Sequence, residues 1–264
     1  MRKIILSRKG LDSSAGGAPS PIMPDGRIFS LPIPQKEKSP NRYKNLQFDE
    51  FNGAELLKSF KSKIKPNDFC HYDPRLNQKI GIFGQANAAQ SELDNLEVQT
   101  GDLFLFFGWF RNADMKGTDL HHLFGWLQID EIIKGEKDIK NYLKLKKLDH
   151  PHGFKDVTRY KNNTLFIGAN QLTLNRRKTF KRGHGLFKKT HRDLILTEKN
   201  KTRSNWQFPN EFKNSQNLFM NRLQWSDPKK VKLSYKGYGQ EFVLNAEANP
   251  KIASWAFKLI HKHG

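Results

Sequence analysis

One stretch in the middle of the chain leaves few choices of fold. Leu103-Phe104-Leu105-Phe106-Phe107-Gly108-Trp109-Phe110 is an apolar run broken only by Gly108. A half-buried strand alternates apolar with polar residues; this run does not, so it predicts a strand covered on both faces. Arg111 follows it, and Asn112, Asp114, Gly117 and Asp119 supply turn residues. The chain then resumes as His121–Ile133, which alternates at its far end. Two such runs across a short polar connection predict an antiparallel hairpin, with Trp109 close to the His121 region. The class expected around this hairpin is α+β, with a mostly antiparallel, partly barrel-like sheet and flanking helices.

Local signals punctuate the rest. Lys3–Ser7 reads as a first strand rather than a signal peptide, because only three apolar residues precede polar ones. The loop after it, Arg8-Lys9-Gly10-Leu11-Asp12-Ser13-Ser14-Ala15-Gly16-Gly17, has the layout of an anion-binding or active-site loop. A loop-rich structural lobe would look the same. The spacings of an NTPase loop and of a dinucleotide fingerprint are absent. Pro24-Asp25-Gly26 is a turn, Ile28–Ile33 a short strand, and residues 35–45 an exposed linker or flap. Asn52–Ser62 reads as a helix capped by Asn52, with Glu55 three residues on. Further helices are expected near Ala86–Leu96, within Glu131–Leu148 and over Asn249–His263, the last opened by Asn249-Pro250. Asn163–Ala169 and Leu194–Thr197 read as short strands.

Charge divides the chain in two. Residues 1–132 carry 17 Lys and Arg against 16 Asp and Glu; residues 133–264 carry 29 against 10. Nearly all of the net +20 therefore lies in the second half, and no acid interrupts the basic run from Arg176 to Arg192. Such a surface suits a polyanion, because phosphate binding releases condensed counterions. A lysine-rich solvated face has the same composition. The 20 Phe residues are enough to seed a sizeable core, and the lone Cys70 excludes an internal disulfide and a multi-cysteine zinc site. No stretch reaches the roughly 18 apolar residues of a membrane span, so a cytoplasmic protein without a membrane partner is expected.

Acid–base or phosphoryl chemistry falls to Lys9, Asp12 and Asp25, with His71 and Asp73, which alternate with Arg75 and share a face if extended. A histidine and an aspartate so placed can bind a metal, move protons or form a satisfied polar cluster. His150-Pro151-His152 offers two more imidazoles, but only Asp149 and Asp156 lie near in sequence, and no metal site is assigned. Gln85, Gln90, Trp109, Arg111 and His121 are the base-binding candidates, combining stacking surfaces with amide edges; ordinary core packing competes for the tryptophan. The phosphate-binding candidates are Arg8, Arg176, Arg177, Lys178, Lys181, Arg182, His184, Lys188, Lys189 and Arg192. His184, between Gly183 and Gly185, can meet phosphate, act as an acid or base, or sit on a solvated hairpin tip. No motif points to a particular cofactor.

Several segments together resemble the third of the nucleotide-modification-associated domain families. They are Ser7-Arg8-Lys9-Gly10-Leu11-Asp12-Ser13-Ser14, Pro19-Ser20-Pro21-Ile22, Ser30-Leu31-Pro32-Ile33-Pro34, Phe83-Gly84-Gln85 and Gly101–Arg111, followed by Phe124-Gly125-Trp126-Leu127-Gln128, His150-Pro151-His152 and Gly239-Gln240-Glu241-Phe242-Val243. They span nearly the whole chain, so residues 1–264 are taken as one domain, with a near-neutral pocket-forming half and a basic half. The central strands alone also resemble PUA-like small barrels, which include readers of modified bases. The resemblance implies action on, or recognition of, modified nucleotides in a DNA base-modification or anti-phage system, with DNA favoured over RNA as partner. It assigns no reaction and no catalytic residue. A non-catalytic reader of a flipped base and a basic accessory subunit of a modifying enzyme remain the alternatives.

Overall fold

The computed structural model describes residues 2–60, 62–154, 160–174, 177–213, 223–235 and 239–264. Ten strands matter for the site: β1 (Lys3–Arg8), β2 (Ser20–Ile22), β3 (Ile33–Gln35), β4 (Phe69–His71) and β5 (Ile82–Gln85), then β6 (Leu103–Asn112), β7 (Leu120–Lys134), β8 (Thr164–Gly168), β9 (His184–Leu186) and β10 (Glu241–Asn245). The described residues hold four α-helices, α1 (Gly53–Leu57), α2 (Asn87–Asn95), α3 (Glu136–Lys146) and α4 (Pro250–His263). The main sheet runs β10-β1-β6-β7-β8-β5, with β9 added to β7 and β2 added to β6. β1 and β2 lie parallel to β6 and the other pairings are antiparallel. The architecture is mixed α/β and mostly antiparallel.

The expected hairpin forms as β6–β7, with Trp109 opposite His121 and a register shift between Phe106 and Phe107. Leu103 to Phe107 are all 0% exposed. On one face Phe104 and Phe106 meet the rings of Phe83 and Phe166; on the other Phe107 meets Trp206 and Phe242. The missing alternation in the sequence thus reports two packed faces, each Phe contributing about 2–3 kcal/mol by burial. α3 covers the far end, burying Ile139 and Leu143 against Ile82, Ile133, Leu165 and Ile167. α4 buries Ile252, Trp255, Ala256, Leu259 and Ile260 at helical spacing and is capped by Asn249, which accepts from the Lys251 amide. Asn52 and Glu55 form the expected capping box, but the α-helix is short, ending at Leu57 and tightening into a 3-10 turn at Lys58–Phe60.

Three expectations need correction. Ile28–Ile33 is not a strand: Ile28 makes only an isolated bridge to Ile22, and pairing starts at Ile33, opposite His71. Residues 35–45 are not a free flap, since Gln35 is in β3 and Tyr43 is buried with its hydroxyl donating to the Pro32 carbonyl. Leu194–Thr197 is not a strand: a 3-10 turn over Arg192–Leu194 takes up its first residue, and Ile195 and Thr197 make only isolated bridges. Among the described residues the sheet does not close into a barrel, and nothing supports the PUA-like assignment. It does curl: Gln85, at the end of one edge strand, donates to Glu241, at the start of the other edge strand, at 2.6 Å. No helix of the described chain is long and apolar enough to cross a membrane.

Candidate functional site

The curled sheet leaves a seam, and the loops around it enclose a cleft of about 740 Å³. One wall is the loop after β1, from Arg8 to Ala15; opposite it are Ile33–Glu37 and the start of α2. Gln240, Gln85, Gly84, His71, Asp73, His152 and Tyr160 complete the lining. The N-cap residue of α2, Ala86, offers no capping side chain, and its own amide donates to Gln85 Oε1. Glycines allow two close approaches. A Cβ on Gly108 would sit 2.7 Å from the Lys9 carbonyl, and one on Gly84 would sit 2.3 Å from the His152 ring.

Two polar clusters form the interior. In the first, Glu241 Oε1 accepts from Lys9 Nζ at 2.8 Å, Ser7 Oγ at 3.0 Å and Gln85 Nε2 at 2.6 Å. The Lys9 ammonium also lies 4.8 Å from the centre of the Phe83 ring.

In the second, the side chain of Asp73 is only 3% exposed beneath three imidazoles. His150 Nε2 lies 3.1 Å from Asp73 Oδ1, and the Gly84 amide donates to both carboxylate oxygens. His71 Nε2 and His152 Nε2 face Asp73 Oδ2 at 3.8 and 3.9 Å. Burial alone would push the Asp73 carboxyl up, but His150, His71 and His152 reverse this and hold it well below the ordinary carboxylate range. Burial pushes His152 down to about 3, and His150 down as well, so both rings are neutral near pH 7.

Tautomers follow from the partners. Asn163 Nδ2 donates to the His152 carbonyl, so its Oδ1 accepts from His152 Nδ1, 2.6 Å away. That leaves the lone pair of His152 Nε2 directed at the cluster. Tyr160 stacks on His152 with ring centres 4.8 Å apart.

The expected catalytic residues divide. Lys9, Asp12, His71 and Asp73 all line the cleft. Asp12 is occupied in its own loop, where Oδ1 accepts from the Ser14 amide and hydroxyl and from the Ala15 amide. Asp25 does not line the cleft; it pairs with Arg27 at 2.6 Å on an exposed turn. Arg75 turns away from the cluster to Asp149.

The expected base pocket does not assemble. Gln85 lines the cleft, but Gln90, Trp109, Arg111 and His121 do not. Contacts elsewhere engage these four, of which Gln90 and His121 are buried and Trp109 and Arg111 only partly so. His121 is 3% exposed and accepts from Trp206 Nε1, the Arg203 guanidinium stacks 4.2 Å over Trp109, Arg111 pairs with Asp119, and Gln90 donates to Asp94.

Of the phosphate candidates only Arg8 reaches the cleft. Arg177, Lys178, Arg182, Lys188, Lys189 and Arg192 are exposed elsewhere, Lys181 is partly buried and donates to the Gly264 carbonyl, and Arg176 lies outside the described residues. His184 is 1% exposed with both ring nitrogens engaged, Nδ1 by the Leu76 carbonyl and Nε2 by the Gly81 amide, which leaves no nitrogen for phosphate.

Sequence reasoning missed Glu241, Asn163 and Tyr160, and it left His150 and His152 without a site. An acid in the apolar segment Glu241-Phe242-Val243-Leu244 was the available signal for the first.

Fold and cleft together define a mixed α/β protein whose open seam presents a histidine–aspartate centre beside a buried lysine–glutamate pair. The chain belongs to the family described as nucleotide modification associated domain 3, whose model matches residues 3–245 and so takes in every cleft residue named above. No curated protein and no solved structure matches it.

Proposed function

We propose that the protein is an enzyme of nucleotide modification that binds a nucleotide, free or within DNA, in this cleft and acts on its base. The observation that carries this reading is the buried His71–Asp73–His150–His152 cluster, which presents an unprotonated Nε2 to a large polar cleft. Ionisable groups displaced from their ordinary values within a cleft suit chemistry better than packing does. Arg8 and the start of α2, where Ala86 offers no capping side chain, supply positive potential at the rim for a phosphate. The basic second half, with Phe180 fully exposed beside Lys178 and Lys181, suits a nucleic-acid strand laid across the outside. A reader holding a flipped base between aromatics loses its main support, because neither Trp109 nor His121 lines the cleft.

The test is mass spectrometry of nucleosides from cells carrying the intact gene, His152→Ala or no gene. A modified or consumed nucleoside that depends on the gene and disappears with His152→Ala is expected. Identical profiles in all three would overturn the enzyme reading and favour an accessory role.

A further inference from the structure

The second cluster contains a spacing that hydrogen bonding does not explain. In the neutral ring His152 Nε2 bears the lone pair, since Asn163 Oδ1 accepts the proton of Nδ1 in a hydrogen bond. Asp73 Oδ2 is a carboxylate oxygen. These two electron-rich atoms face each other at 3.9 Å, and His71 Nε2 faces the same oxygen at 3.8 Å. All three ligand atoms lie within 4.8 Å of one another. No lysine or arginine pairs with Asp73 among the described residues. We infer that His71, Asp73 and His152 bind a first-row divalent transition metal ion at the floor of the cleft. This deepens the reading of the cleft as a reaction centre and rests on that reading only for the ion's use.

Chemistry and surroundings agree. Two imidazoles and one carboxylate suit zinc, iron, cobalt, nickel or manganese in the divalent state. Ligands about 2.0–2.2 Å from an ion lie roughly 3–3.5 Å apart, so each side chain closes by less than an ångström.

The outer partners are those a metal site uses to orient its ligands. Asn163 sets the His152 tautomer, His150 takes Asp73 Oδ1, and the Gly84 amide holds the carboxylate from behind. Ligands and partners come from two segments distant in sequence, and together they bring Oδ2 and Nε2 to 3.9 Å from one another. Three protein ligands leave further coordination positions open towards the cleft, as in catalytic rather than structural sites.

The other histidine–aspartate group, His191, Asp193 and His263, is a built-in contrast. There Asp193 Oδ2 already accepts Lys262 Nζ at 2.9 Å and His263 Nε2 at 3.0 Å, so an ammonium takes the place of an ion.

The full-length protein is stripped with chelator, loaded with Co(II) or Zn(II) without any nucleotide, and assayed by elemental analysis and by visible absorption of the cobalt form. One ion per chain and a cobalt spectrum of nitrogen and oxygen ligation are expected. His71→Ala, a partly exposed change that spares the core, should weaken binding at least 100-fold. Asn163→Ala should weaken it 10–100-fold through the ligand it orients. Asp193→Asn should leave it unchanged. Circular dichroism on each variant separates lost ligation from lost folding.

The assignment is overturned if the folded wild type takes up no ion at micromolar Co(II) or Zn(II), or if His71→Ala keeps the ion while Asp193→Asn loses it. Nucleotide binding by the stripped protein is measured separately. An ion without nucleotide binding would sink the functional proposal and leave the metal site standing.

Discussion

Glu241 carries a carboxylate into a position 1% exposed, where it must be neutralised or hydrogen-bonded. Lys9 supplies the counter-charge, while Ser7 and Gln85 donate to the same oxygen. Lys9 is therefore held by a structural partner, although it also lines the cleft. Removing it leaves a buried charge without its partner, which costs about 3–5 kcal/mol. Lys9→Met should lose stability of that order in urea denaturation. Adding Glu241→Gln should recover most of the loss, because the amide needs no counter-ion. If Lys9→Met matches the wild type, the pair contributes little and Lys9 is free for chemistry.

At the scale of elements, strand β7 places two adjacent histidines on opposite faces of the sheet. His121 packs against Phe107 and Trp206, whereas His122 packs against Phe110 and meets Thr190 Oγ1 at 2.9 Å. Burial pushes His121 down to about 3, helped by Arg203 and Arg8, and pushes His122 down to about 4 despite its bond to the Leu123 carbonyl. Each therefore takes up its proton first in the unfolded chain. Stability is fully present above about pH 6.5 and falls below it, by about 1.4 kcal/mol per pH unit for each imidazole. The urea midpoint should drop between pH 7 and pH 5, and His122→Gln should reduce that slope. A midpoint constant across this range would mean that the rings charge without unfolding the protein. The hairpin carrying these residues was legible in the sequence, since a strand without alternation is covered on both faces. The capping box at Asn52 was legible too, because capping is local. The histidine–aspartate centre was not: His150 is 77 residues from Asp73, and neither the His71–Asp73 pair nor the His150–His152 pair completes a ligand set alone. The curl that brings Gln85 to Glu241 across 156 residues likewise leaves no trace in local spacing.

For the whole molecule, the excess charge and the cleft draw on different parts of the chain. The cleft is formed largely by residues 8–89 with His152, Tyr160 and Gln240, whereas net charge concentrates in residues 133–264. Such a division fits a protein that holds a long polyanion by its backbone on one surface while a single unit enters the cleft. Not every base on that surface is free to do so. Arg182 donates to the Gln78 and Lys79 carbonyls and Lys181 to that of Gly264, so their removal would disturb the fold as well as binding. Arg177, Lys178, Lys188 and Lys189 are exposed and make the cleaner test. Replacing these four with Ala should weaken duplex DNA binding for every sequence. It should also make the slope of log K against log salt shallower by about 0.9 for each phosphate that is no longer neutralised. Lys144→Ala with Lys147→Ala, exposed at the end of α3, should change neither quantity. Fluorescence anisotropy across a salt series measures both. Equal slopes for the quadruple variant and the wild type would show that the excess charge is a solvated face, leaving the cleft as the place where nucleotides are met.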